Sequence, residues 1–333
     1  MIILDGSQAG GQYLRTSLSL SAITKKPFKL INIRGKRENP GLQNQHLTAV
    51  NAMKELCNGE VNGNELHSKE LEFIPKQIEG GNYIFDTGTA GSVTLVMQTI
   101  LPVLLFANKE SQIGIKGGTA NPFAPPALEI KEVFIYFLKK FGIEVDFEII
   151  QEGFYPKGGG KIIFKVKPIK NLKKINLIER GELIKNKVSA ISTDDLRKAQ
   201  VSARLIAGFK EVFKKEITNE EQYVNTLSPG CYLHANAEFT NTKLGFTVLG
   251  EKGKKAEDVG KECALHFSEI INSNATVDHF TADQLLIYVA LAGEGSFITN
   301  QITDHLKTNA ELIEKFLPVK FEIKDNKIEC KKS

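Results

Sequence analysis

Closely spaced cysteines, long apolar runs and dense charge of one sign are all missing from this sequence, and each absence removes a class of protein. Cys57, Cys231, Cys263 and Cys330 are scattered with no CxxC pair, so neither a zinc site nor a disulfide framework is indicated. Reduced thiols in the cytoplasm are the expectation. The longest apolar run, Val93 to Ala107, is interrupted by Thr94, Gln98, Thr99 and Pro102 and is too short to span a bilayer. It reads as a buried helix, so no membrane partner is expected. The opening MIILDGSQ has no basic region followed by an apolar core, which gives no sign of a secretory signal. The net charge of +4 suits a polyanionic partner but is far from the density of a basic nucleic-acid tail.

What is present is the composition of a globular protein. With 333 residues, 41% hydrophobic and 25% charged, the chain is large enough for two domains and a sizeable core. A pattern of strand, Gly/Ser/Thr-rich turn, helix, strand, second helix and two strands runs from Met1 to about Phe73 and again from Tyr83 to about Val166. In the second copy the expected elements are a strand at Tyr83–Asp86, the turn Thr87–Ser92, a helix over Val93–Ala107 and a strand at Gln112–Lys116. A helix over Ala127–Phe141, ended by Gly142, precedes strands at Ile143–Ile150 and Lys161–Val166. A third copy opens at Lys174–Ile178, yet its next matching helix, Asp283–Leu291, comes much later. The intervening stretch is read as an inserted α/β domain with a strand near Lys187–Ile191, a helix Asp194–Phe213, strands around Tyr232–Thr247 and a helix Ala256–Asn272. The expected fold class is α/β (α+β): residues 1–180 and 274–333 form a large domain of three repeats, and 181–273 form the small inserted one.

Two segments and a scattered set of cations concentrate the residues that carry chemistry. In EGFYPKGGGKIIF, Glu152 to Phe164, the glycines Gly158, Gly159 and Gly160 mark either a tight packing point or a polyanion contact. In TDHLKTN, Thr303 to Asn309, His305 stands before Thr308 and Glu311, spaced as a capping box, with Leu312, Ile313 and Phe316 following at helical spacing. A helix beginning just after His305 would direct unpaired N–H groups at an anion, and a neutral imidazole there can attack phosphorus. A polar residue ahead of a helix is the plainer account. Arg15, Arg34 and Arg37, with Lys36, supply cations near loops, either as phosphate forks or as a solvated basic surface.

The first two of these segments, together with LDGSQAGGQYLR at Leu4–Arg15, closely resemble the RNA 3′-terminal phosphate cyclase family, and the likeness spans the full length. It implies a large domain of three repeats carrying a smaller insertion. It also implies that His305 takes AMP covalently from ATP, and that an RNA 3′-terminal phosphate is then converted to a 2′,3′-cyclic phosphate with release of AMP and pyrophosphate. A Mg²⁺ or Mn²⁺ ion would assist. By the same resemblance Gln98, Pro125, Phe280, Asp283 and Gln284 face the nucleotide, Asp283 and Gln284 from the start of a helix, while Arg15, Arg34, Arg37 and Gln45 face RNA or phosphate. Gln98 as a satisfied core amide and Asp283 as an early-helix carboxylate are the duller alternatives.

The sequence departs from the family at Gln8–Gln12, where QAGGQ replaces a usual QGEGGGQ, losing two residues and a glutamate that helps to hold the metal. The metal ligands are therefore left open. Phe280 stands where a tyrosine is frequent, and Ala120 where an aspartate is. Two other readings remain: a non-catalytic cyclase-like RNA-processing factor, and an enolpyruvyl-transferase-like enzyme sharing the repeated architecture.

Overall fold

The computed structural model describes residues 1–333 and uses one six-element unit three times. The first unit is β1 (Ile2–Asp5), α1 (Gly11–Thr24), β2 (Phe28–Ile31), α2 (Asn44–Leu56), β3 (Glu60–Asn62) and β4 (Leu71–Ile74). The second is β5 (Asn82–Asp86), α3 (Val93–Leu104), β6 (Ser111–Gly117), a helix in pieces, β7 (Val145–Gln151) and β8 (Gly160–Val166). The pieces are α4 (Ala127–Glu129), a wide π turn at Ile130–Phe134, and α5 (Ile135–Lys140). The third unit opens with β9 (Ile175–Leu177) and is then interrupted by β10 (Leu183–Thr193), α6 (Val201–Val212), β11 (Thr218–Val224), β12 (Cys231–Phe239), β13 (Lys243–Leu249) and α7 (Ala256–Asn272). It resumes with α8 (His279–Ala292), β14 (Gly295–Ile298), α9 (Asp304–Phe316), β15 (Val319–Lys324) and β16 (Lys327–Lys332).

All three units arrange their strands in the same way: β1-β2-β4-β3, β5-β6-β8-β7 and β9-β14-β16-β15. In each, the first two strands are parallel, as a helical crossover requires, and the remaining pairs are antiparallel. Each sheet alternates buried and exposed positions, so one face must be covered by helices. A single core of 66 buried residues runs through all three units, which therefore bury one common interior. Aromatic contacts join them: Phe28 of the first meets Phe316 of the third at 6.4 Å, and Tyr288 of the third meets Phe134 and Phe141 of the second at 5.9 Å.

The inserted segment has its own sheet, β11-β10-β12-β13, and its own core of 20 residues. Its contacts with the second unit are polar as well as apolar. Glu132 faces Lys187 at 3.6 Å and Lys243 at 3.4 Å, and the Thr247 hydroxyl donates to Glu129 at 2.6 Å.

Several elements differ from the sequence reading. The helix expected over Asp194–Phe213 is a 3₁₀ turn at Asp194–Leu196 followed by α6, broken where Gln200 takes a left-handed φ of 51°. The strand β11 has no counterpart among the expected elements, because its residues TNEEQYV are polar and lie mostly exposed on an edge. The helix of the third unit begins at His279, capped by the Asp278 side chain, so Asp283 lies in its second turn and not at its start.

Candidate active site

The two ends of the chain meet at one cavity. Helix α1 begins at Gly11 behind an N-cap, Gly10, that has no side chain to satisfy the first N–H groups. Helix α9 begins at Asp304, with Thr303 as its N-cap, accepting the Leu306 N–H. His305 therefore sits inside the first turn of α9. The capping pair Thr308 and Glu311 expected from sequence lies a turn further on, because Thr303 makes the cap first. A Cβ at Gly10 would stand 3.2 Å from His305 Cε1 and 3.5 Å from an Arg37 amino nitrogen, so glycine there lets the two helix starts and Arg37 converge.

Around this point lies a cavity of about 270 Å³, lined among others by Gln8, Gly10, Lys36, Arg37, Asp304 and His305. Two helix N-termini, a guanidinium and an ammonium, against the single carboxylate of Asp304, give it the chemistry that suits an anion. His305 is exposed to it, and its imidazole is held below the usual histidine range, first by partial burial and then by Arg37 and Arg15, with Asp304 opposing. A neutral ring beside cations is what a nitrogen nucleophile for phosphorus needs.

A smaller cavity of about 40 Å³ adjoins it, sharing Gln12 and Asn309, and is lined also by Arg15, Gln98, Asp283 and Gln284. Gln98 Nε2 donates to Gln284 Oε1 at 2.8 Å, and Gln284 Nε2 to the Phe280 carbonyl at 3.1 Å. Burial pushes the Asp283 carboxyl up to about 7; the Thr303 hydroxyl, which donates to it at 3.2 Å, opposes that rise. Two buried polar atoms of this wall, Asn309 Oδ1 and Tyr288 OH, have no partner, which is the signature of a polar cavity that receives a ligand or waters. Arg15 makes no ion pair, and removal from water lowers its guanidinium to about 10.

The layer beneath is fixed by α2. His46 Nδ1 accepts the Gln43 N–H at 3.2 Å, closing a capping box with Gln43, and burial, then Arg15 and Arg34, hold its ring down to about 3. A Cβ at Gly11 would come within 2.3 Å of His46 Nε2, so α1 starts directly on this neutral imidazole. Gln45 Oε1 accepts the Ser92 N–H at 2.9 Å, joining α2 to the start of α3.

Of the residues singled out from sequence, His305, Arg37, Arg15, Gln98, Asp283 and Gln284 are brought together in the two cavities. Four line neither. Arg34 commits its guanidinium to the carbonyls of Asn39 at 2.7 Å and Gly41 at 2.9 Å, holding the loop that carries Arg37. Gln45 is occupied at Ser92, and the Pro125 carbonyl accepts from Thr94 at 2.8 Å. The Phe280 ring packs on His279 at 4.0 Å and on Phe246 of the inserted segment at 5.8 Å. The glycines of EGFYPKGGG are packing points: a Cβ at Gly158 would stand 2.8 Å from the Thr89 carbonyl, and one at Gly160 2.7 Å from Thr119. Glu152 of that segment accepts from Tyr232 at 2.7 Å and from Thr119, pinning the inserted sheet to the second unit.

Sequence reasoning passed over Gln12, Tyr288 and Asn309. Asn309 carried a signal, since it stands four residues after His305 and so shares its helix face.

The sequence is similar to known proteins over nearly its whole length. A sequence model described as RNA 3′-terminal phosphate cyclase matches residues 7–323. The RNA 3′-terminal phosphate cyclase of Sulfurisphaera tokodaii is 45% identical, over 98% of this chain and 97% of the relative. That of Pyrococcus furiosus is 41% identical over 97% and 95%, and that of Koribacter versatilis 40% identical over 98% and 92%. This full-length likeness displaces the enolpyruvyl-transferase reading, and the chain belongs to the RNA 3′-terminal phosphate cyclase family of enzymes.

Proposed function

We propose that this protein converts an RNA 3′-terminal phosphate to a 2′,3′-cyclic phosphate at the expense of ATP. A ring nitrogen of His305 attacks the α-phosphorus of ATP, forming a P–N bond as the P–O bond to pyrophosphate breaks. An oxygen of the RNA 3′-phosphate then attacks the same phosphorus, and the P–N electrons return to the imidazole. Finally the neighbouring 2′-hydroxyl attacks the 3′-phosphorus, loses its proton to solvent, and expels AMP, a far better leaving group than phosphate oxygen. The contacts address phosphate and ribose, so little base specificity is expected.

The observation that carries this reading is the place of His305 in the first turn of α9, against Arg37 and the bare N-terminus of α1, where burial and then Arg37 favour the neutral ring. Preorganised cations and helix N–H groups stabilise charge building on phosphate oxygens, which usually contributes more than any other effect to catalysis of such transfers. Arg37 and Lys36 suit the phosphates in the larger cavity, and Gln98, Asp283 and Gln284 suit the nucleoside in the smaller one, with Arg15 between them for a phosphate of either substrate; Arg34 and Gln45 serve by holding the loops behind the site. For Mg²⁺ or Mn²⁺ the larger cavity offers one carboxylate, Asp304, with the amides of Gln8 and Gln12. That set fits a hydrated ion carried on the triphosphate, which takes one or two carboxylates and keeps its waters. The ion would neutralise phosphate charge.

We further propose that 1–180 with 274–333 work as the catalytic domain and 181–273 as an appended one, and that the protein acts in the cytoplasm, in keeping with its four free cysteines. No helix is long and apolar enough to cross a membrane.

The shortened Gln8–Gln12 loop favours one rival, a cyclase-like factor without catalysis. Incubation with α-labelled ATP and Mg²⁺ or Mn²⁺ separates the two. Acid-labile label on the wild type and none on His305→Ala is the expected result. Absence of label from folded, ATP-binding protein with either metal would give the scaffold reading the lead.

A further inference from the structure

Phe123 is fully exposed, at 101% of its reference area, and its backbone is left-handed, with φ of 63°. A bulky side chain in that region is an outlier, and strain of this kind concentrates at ligand contacts. At that exposure the ring contributes nothing to the packed core. The loop around it is stiff, with Pro122 before it and Pro125 and Pro126 after it. Both ends are tied: Asn121 Nδ2 donates to the Ala90 carbonyl, and the Thr94 hydroxyl donates to that of Pro125. The ring is therefore presented to solvent on a preorganised support.

A second exposed aromatic stands in the neighbouring loop. Tyr155 is 71% exposed, and a bridge between Ala120 and Phe154 sets the two loops side by side. At their root Lys116 of β6 lies directly opposite Lys161 of β8, and Lys157 is exposed on the Tyr155 loop. Like charges placed opposite each other on a ladder repel unless an anion lies between them. The β5 neighbour of Lys116, Asp86, has Oδ1 engaged by the Gly88 N–H at 2.8 Å. A relay of contacts ties this loop to the layer beneath the larger cavity: His46 lies under Gly11, the adjacent Gln45 accepts the Ser92 N–H, and the Ala90 carbonyl accepts from Asn121.

We propose that Phe123 and Tyr155 form a stacking platform for the nucleotides upstream of the 3′ end of a single-stranded RNA, with Lys157, Lys116 and Lys161 taking its phosphates. The inference rests on the RNA-end reading above. Every base has a π face, so aromatic stacking adds affinity without sequence preference, as a processing enzyme for varied ends requires.

The test measures binding of a 3′-phosphorylated ten-nucleotide RNA and of a three-nucleotide one, beside labelling by α-labelled ATP without RNA. Phe123→Ala is expected to weaken the longer RNA about tenfold, to change the shorter far less, and to leave labelling intact. Phe123→Trp should restore binding, and Lys157→Gln should lower the slope of log affinity against log salt by about one. Equal affinity of Phe123→Ala and wild type for the longer RNA overturns the proposal and points to a protein partner or a second copy. Loss of ATP labelling in Phe123→Ala overturns it in favour of a place at the nucleotide. A wild type that takes the label but binds neither RNA removes the RNA-end reading itself, and the platform with it.

Discussion

Thr303 Oγ1 donates to Asp283 Oδ1 at 3.2 Å while accepting the Leu306 N–H at 3.0 Å, so one hydroxyl ties α8 to the first turn of α9, where His305 sits. Thr303→Val keeps the shape and removes both bonds. The expected loss is about 1–2 kcal/mol of stability, from the missing cap and the unpaired carboxyl. Labelling by ATP should slow as well, because the His305 turn loses its anchor. Thr303→Ser should recover both. Urea midpoints and labelling rates of the two variants decide this, and a Thr303→Val midpoint equal to wild type would show that the cap contributes nothing.

Asp283 makes stability depend on pH in the unusual direction. Burial holds its carboxyl near 7, well above the value of about 3.9 for an unfolded aspartate. Between those limits the folded state binds the extra proton, so this group's contribution to stability falls as pH rises from about 4 to about 7. Asp283→Asn removes that dependence and should gain on wild type as pH rises from about 4 to about 7. Parallel curves for the two proteins would place the titration elsewhere.

Much of this arrangement was legible in the sequence, because repetition and punctuation are local. The strand–turn–helix pattern gave three copies, Gly142 marked a helix end and indeed adopts φ of 81°, and the distance from Ile178 to the next matching helix announced an insertion. What failed was competition between local signals. Thr308 and Glu311 have the spacing of a capping box, but Thr303, which also donates to Asp283 of α8, makes the cap a turn earlier. Edge strand β11 lacked the apolar alternation that burial imposes. The meeting of Gly10, Gly11, His46 and His305 involves three helices far apart in the chain, and no spacing rule encodes it.

Arg37 and His305 make a pH-rate prediction. The imidazole is lowered by burial and then by Arg37, so it is neutral at pH 7 and the labelling rate should fall only as the medium is acidified below the normal histidine range. Arg37→Gln removes a positive neighbour, which raises the imidazole pKa and moves that acid limb to higher pH. The whole curve should also drop from lost phosphate binding. A limb that stays in place while the amplitude falls would show that Arg37 binds phosphate without tuning the ring.

Arg15 should be better for function than for stability. Its charge is drawn from water beside His46 and makes no ion pair, which costs the empty protein free energy. Arg15→Gln is expected to melt at the wild-type temperature or a few degrees above it. Its affinity for inorganic pyrophosphate should fall about tenfold or more, as loss of a charge-assisted contact implies. Melting curves with and without pyrophosphate report both effects. A variant that melts much lower would mean that the guanidinium is structural.

Gly11→Ala tests the layer beneath the cavity. The added methyl would meet His46 Nε2 at 2.3 Å, so either α1 or the imidazole must move. If the imidazole moves, the Gln43 N–H loses its acceptor and the start of α2 loosens; overpacking of this kind costs about 1–3 kcal/mol. The N-terminus of α1 would shift with it, weakening pyrophosphate binding. Pairing Gly11→Ala with His46→Ala removes the clash, and the double variant should recover stability relative to Gly11→Ala alone, a coupling that a double-mutant cycle reads directly. Strictly additive losses would show that glycine is required here for another reason.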